Sequence, residues 1–121
     1  MNVEQFVINV NSEQPERLTS FYKDIVGLTP RFDITPGAFM VGSSSFVALI
    51  VEGHNEVKGS TREPARVLLN FVVDDVIAEQ QRLESQGVHF TRPAYTEAGV
   101  GVFATFADPD GNCCQLAQLA T

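Results

Sequence analysis

Acids, amides and thiols crowd one stretch near the C-terminus, Phe106-Ala107-Asp108-Pro109-Asp110-Gly111-Asn112-Cys113-Cys114-Gln115-Leu116. Pro109 fixes φ and Gly111 readily takes φ > 0, so Asp-Pro-Asp-Gly-Asn between two apolar runs predicts a tight hairpin turn joining two strands. Cys113 and Cys114 are adjacent on the second of these strands, where successive side chains point to opposite faces, so they do not bridge each other. Cys113 shares a face with Gln115, but no base stands nearby in sequence to make it a nucleophile, and a packed thiol is the simpler reading. The histidines, His54 and His89, are far apart. His54 lies in a polar stretch with Glu52 and Glu56, and His89 on the polar side of a strand. A metal site needs three or four converging ligands, so both read as solvated side chains. The sequence carries no Ser-His-Asp constellation, no Gly-x-Gly-x-x-Gly and no phosphate loop.

With 121 residues the chain is the size of one domain, and a net charge of −7 opposes attraction to nucleic acid or an anionic membrane. Two reduced thiols without a disulfide framework, no basic apolar leader and no apolar run approaching the length of a membrane span point to a cytoplasmic protein.

The elements that must position these groups follow a repeated order. Phe6 to Val10 reads as a strand with Phe6, Ile8 and Val10 on one face and Gln5, Val7 and Asn9 on the other. Asn11, Ser12 and Glu13 supply capping chemistry, Pro15 suits a first helical turn, and Leu18, Phe21, Tyr22, Ile25 and Val26 form an amphipathic stripe that Gly27 ends. Strands are predicted over 28–34, 39–41 and 46–51, after which the polar stretch 53–64 breaks the pattern. The order then restarts: a strand over 67–73, a helix capped by Asp74 or Asp75 and closed by Gly87, and strands over 88–92, 101–107 and 113–119. The second helix has a weaker stripe, in which Gln80 stands beside Val76, Ile77 and Leu83. A β-α-β-β-β unit repeated at a spacing of about 60 residues constrains the whole architecture.

This repeat, closed by Phe-x-Asp-Pro-Asp-Gly-Asn-x-x-x-Leu, resembles the vicinal oxygen chelate superfamily of glyoxalases, bleomycin-resistance proteins and extradiol dioxygenases. The resemblance implies an α+β fold of two βαβββ modules, over about 1–53 and 65–121 with a linker over about 54–64, curving mixed sheet around a cleft. It also implies pairing as a homodimer. In metal-using relatives the ligands are His and Glu on the first and last strands of each module. Carried over, those positions fall at Gln5, at Ala48 or a near neighbour, at Leu68 and at Gln115. Leucine cannot bind a metal, and neutral amides are poor replacements for imidazole and carboxylate, so no metal and no cofactor is expected.

Strand alternation names the expected ligand-binding wall: Gln5 and Asn9, with Val7 between them; Phe39 and Phe46; Ala48, with Ile50; Leu68 and Asn70; Phe103 and Thr105; and Gln115. That set holds no charged residue, and a strongly anionic compound would need Arg31, Arg66 or Arg92 to reach in. The expectation is a metal-free protein that binds a neutral or weakly polar organic compound, such as an antibiotic, held by contact area and few hydrogen bonds. The competing expectation is a lyase, isomerase or dioxygenase-like enzyme of the same family with an atypical or absent metal site.

Overall fold

Phe6–Ser12, a run rich in β-branched residues, forms the first strand of the computed structural model, which describes residues 1–31, 33–43 and 47–121. The chain divides into two compact units, Met1–Gly59 and Ser60–Thr121. Each is a βαβββ module with a mixed four-stranded sheet, so the fold class is α+β.

In the first unit, β1 (Phe6–Ser12), α1 (Pro15–Ser20), β2 (Thr29–Pro30), β3 (Ala38–Met40) and β4 (Val47–Gly53) make a sheet of order β1-β4-β3-β2. β1 runs parallel to β4, with Ile8 opposite Leu49 and Val10 opposite Val51. These residues turn towards α1, which packs on β1 and β4. Ser12 Oγ accepts from the Gln14 N–H at 2.9 Å just ahead of Pro15, which has no N–H to leave unsatisfied. The helix widens to π spacing over Phe21–Val26, and Gly27, at φ 87°, ends it as the N–H groups of Gly27 and Leu28 both donate to Tyr22 O. The stripe read from sequence is the buried one: Leu18 and Tyr22 are fully enclosed, and Phe21 meets Tyr22 edge to face at 5.4 Å. Burying each such side chain contributes about 2 kcal/mol.

The strand expected over 28–34 shrinks to Thr29–Pro30. Pro30 offers no N–H to extend the ladder, and Arg31 and Asp33 clasp each other as the chain turns. Phe32 lies outside the described residues, as does the candidate Phe46.

In the second unit, β5 (Leu68–Val72), α2 (Val76–Ser85), β6 (Phe90–Glu97), β7 (Gly101–Ala107) and β8 (Cys113–Leu119) make a sheet of order β5-β8-β7-β6. Asp75 caps α2, its Oδ1 accepting from the Ala78 N–H at 3.0 Å, and Gly87 at φ 89° follows the helix end. Gln118 Oε1 accepts from the Val76 N–H at 3.0 Å, tying β8 to the first turn of α2. Val76, Leu83, Leu69, Phe90, Ala104, Phe106, Cys114 and Leu116 are buried between the sheet and α2, and Phe103 and Ala117, on the other face of the sheet, are buried as well. β6 runs past Pro93, where the sequence suggested a stop, because β6 is an edge strand and breaks register twice there. Among the described residues no helix is long and apolar enough to cross a membrane.

Candidate functional site

Asp-Pro-Asp-Gly-Asn is spent on its own geometry. Asp108 is 4% exposed; its Oδ1 accepts from the N–H groups of Asp110 and Asn112, both at 2.9 Å, and its Oδ2 from Asn112 Nδ2 at 2.8 Å. Gly111, at φ 82°, donates to Asp108 O. Thr61 then ties the segment ahead of β5 to the turn, donating from its N–H to Asp110 O and from Oγ1 to Asn112 Oδ1, each at 2.8 Å. The turn's role is to set the register of β7 against β8.

That register builds the site. Odd-numbered residues of β7 and β8 lie on the face turned away from α2, together with the even-numbered residues of β5. One cross-strand row on this face reads Asn70, Gln115, Thr105, Arg92 across β5, β8, β7 and β6. At the usual strand spacing it spans roughly 14 Å. Gln115 Nε2 donates to Asn70 Oδ1 at 3.3 Å, joining the two amides along the row. The neighbouring row reads Val72, Ala117, Phe103, Tyr95, an apolar and aromatic strip in which Phe103 and Tyr95 stand 5.9 Å apart. On the other side lie Leu68, Cys113 and Ala107.

Arg92 and Tyr95 are three residues apart, and in an unbroken strand they would face opposite ways. The two register shifts in β6 bring both to the helix-free face, where Arg92 is opposite Thr105 and Tyr95 opposite Phe103. The Arg92 guanidinium carbon lies 3.5 Å from the centre of the Tyr95 ring. From the far side of the sheet, Gln80 Oε1 accepts from the Ala94 N–H at 2.8 Å. A glutamine in the apolar stripe of α2 thus satisfies a donor within the bulged segment.

The sequence reading left the wall without charge unless Arg31, Arg66 or Arg92 reached in, and the ladder puts Arg92 at the end of the polar row. The other two arginines named from sequence are held by local acids: Arg66 by Glu63 at 2.8 Å and Arg31 by Asp33 at 2.8 Å. Hydrogen bonding from Arg31 holds the Asp33 carboxyl below the usual carboxylate range. Among the described residues no carboxylate pairs with Arg92.

The first unit repeats the scaffold with other side chains. Asn9 pairs with Ile50 as Asn70 pairs with Gln115, and Ile50 pairs with Ala38 as Gln115 pairs with Thr105. The row equivalent to the polar one is therefore Asn9, Ile50, Ala38. Asn9 Nδ2 donates to Glu52 Oε2 at 3.3 Å, and Ala48 lies on this same face. By the same ladders the partner of Leu68 in the repeat is Val7, opposite Ala48 as Leu68 is opposite Cys113. Gln5 precedes β1 and is exposed, outside the ladder that begins with Phe6 opposite Val47. Phe39 is not part of the wall: it stands opposite Leu49, on the side of the sheet that α1 covers, and is fully buried. A strand of three residues offers too little alternation for its phase to be read from sequence.

The donor set does not fit a divalent ion. Leu68 has no donor atom, Asn70 and Gln115 bond each other, and no three His, Cys, Asp or Glu side chains converge among the described residues. His54 Nδ1 accepts from the Glu56 N–H at 3.1 Å and shapes its own loop, while His89 is exposed just ahead of β6. A hollow of about 480 Å³ in the first unit, bounded by Pro15, Thr19, Pro36 and Gly53, contains none of the candidate residues.

The sequence model of the Glyoxalase/Bleomycin resistance protein/Dioxygenase superfamily matches residues 4–116. Among solved structures, TnmS3, described as an antibiotic binding protein from Streptomyces sp. CB03234, is similar at 25% identity and TM-score 0.66, over 99% of this chain and 97% of that one. A lactoylglutathione lyase from Agrobacterium tumefaciens aligns at 16% identity and TM-score 0.70, over 93% and 91% of the two chains. A glyoxalase/dioxygenase from Nostoc punctiforme aligns at 17% and 0.73, over 99% and 92%. The last two likenesses are of fold alone. No curated protein matches the chain in sequence.

Proposed function

Because the chain belongs to the Glyoxalase/Bleomycin resistance protein/Dioxygenase superfamily, we propose that it uses the family scaffold to bind a planar organic compound without a metal ion. The observation that carries this reading is the pair of adjacent rows on the helix-free face of the second sheet. Half-buried Tyr95, beside the 9% exposed Phe103, supplies aromatic contact area, and the amides and hydroxyl of Asn70, Gln115 and Thr105 supply a few directed hydrogen bonds. That combination suits a flat ring system with oxygen substituents along one edge. The antibiotic-binding protein TnmS3, similar over nearly the whole chain, supports a compound of antibiotic or secondary-metabolite type. An enzyme of the metal-dependent kind would need imidazole or carboxylate where Leu68 and Gln115 stand.

The test is calorimetric titration of EDTA-treated protein with 2-naphthamide, a neutral bicyclic probe. Binding is expected without metal, unchanged on adding Zn²⁺ or Mn²⁺, and weakened by about tenfold in Phe103→Ala as ring contact is lost. Binding that appears only with a divalent ion contradicts the proposal.

A further inference from the structure

We infer that the second unit selects ligands by an acidic oxygen on the aromatic ring, a carboxylate or phenolate, with Arg92 as the specificity-determining residue. The inference rests on the reading of the helix-free face as the binding surface. It follows from where the positive charge has been put. The chain is acidic, at −7, and its arginines at 31, 66 and 82 are each clasped by a carboxylate close in sequence. Arg92 is held by the face of Tyr95. A guanidinium stacked on a ring keeps its N–H groups directed outward in its own plane, so the stacking fixes its position and leaves its hydrogen-bonding edge available.

The position is determined from both sides of the sheet. Thr105 stands opposite Arg92 in the ladder, and Gln80 holds the Ala94 N–H, inside the bulge that turns Arg92 and Tyr95 to one face. A ring lying along Phe103 and Tyr95 would present an edge to the polar row, ending at the guanidinium. Glu97, opposite Gly101, lies on this same face beyond Tyr95, so an anionic group is repelled from that end and drawn towards Arg92. A carboxylate or phenolate oxygen there makes hydrogen bonds in which both partners are charged, adding an ion-pair attraction that a neutral amide or hydroxyl lacks. Gln80 acts through the bulge as a positioning residue.

The test compares 2-naphthoate with 2-naphthamide, which share a ring system and differ in charge, by calorimetry on the full chain in EDTA. The carboxylate is expected to bind about tenfold more tightly, a difference that added NaCl narrows. In Arg92→Gln the two affinities become equal, whatever the change in the affinity for 2-naphthamide itself. In Gln80→Leu the arginine is intact but its placement is released, and the ratio of the two affinities falls in the same direction, though less far than in Arg92→Gln. Equal affinities in the unsubstituted protein, or a preference that survives Arg92→Gln, would overturn the inference and leave the binding face standing. Failure of both probes to bind would overturn the binding reading together with the inference.

Discussion

The Asp108→Ala protein is expected to melt about 10 °C below the unsubstituted chain. Asp108 is buried and accepts hydrogen bonds from the N–H groups of Asp110 and Asn112 inside the turn and from Asn112 Nδ2. Alanine leaves those N–H groups without their acceptor in a buried position, at about 1–3 kcal/mol each. A total near 3 kcal/mol, at roughly 3–5 °C per kcal/mol for a chain of this size, gives the stated shift. Asp108→Asn keeps a carbonyl oxygen for the two backbone donors and loses mainly the bond from Asn112, so it should melt between the two. Thermal unfolding followed by circular dichroism decides this. A drop of under about 3 °C for Asp108→Ala would mean that the turn holds its shape without the carboxylate.

The Gly37→Ala protein should lose a comparable amount, about 3 kcal/mol, for a steric reason. A Cβ on Gly37 would run into the carbonyl oxygen of Val51, with the Val51 carbonyl carbon at 3.2 Å. Gly37 O also accepts from the Val51 N–H at 2.8 Å, so the two backbones are locked at close approach. Val51 is paired to Val10 in the parallel ladder, and β4 cannot retreat without disturbing β1. Gly53→Ala is the control, because its Cβ would meet only Pro15 Cγ at 3.6 Å, an ordinary contact. Urea unfolding should show Gly53→Ala within about 0.5 kcal/mol of the unsubstituted protein and Gly37→Ala well below it. Equal stabilities of the two variants would contradict the packing described for β3 and β4.

Much of this architecture is legible in the residues themselves. The strands Gly101–Ala107 and Cys113–Leu119 and the turn between them follow from apolar runs on either side of Asp-Pro-Asp-Gly-Asn, and Gly27 and Gly87 mark both helix ends. Alternation alone places Asn70, Thr105 and Gln115 on one face. It fails where the backbone departs from period two. Tyr95 was hidden, and Arg92 could be named only as one of three arginines, because two register shifts re-aim them; the traces those shifts leave are indirect: Pro93 inside a strand and Gln80 inside an apolar helical stripe. Phe39 was misplaced because three residues of strand do not set a phase. Setting Asn9 against Asn70 in the two ladders matches Val7 to Leu68, and Gln5 lies outside β1.

The most direct measurement of the central claim is a nuclear magnetic resonance titration of the labelled protein with 2-naphthoate in EDTA. Perturbed signals are expected to cluster at the side-chain amides of Asn70 and Gln115, the Arg92 Nε–H, and the backbone of Phe103 and Thr105. Signals from the opposite face, at Ala104, Leu116 and α2, should stay in place. Perturbations centred on the His54 loop or on the hollow beside Pro15 and Pro36, or changes that require a divalent ion, would contradict it.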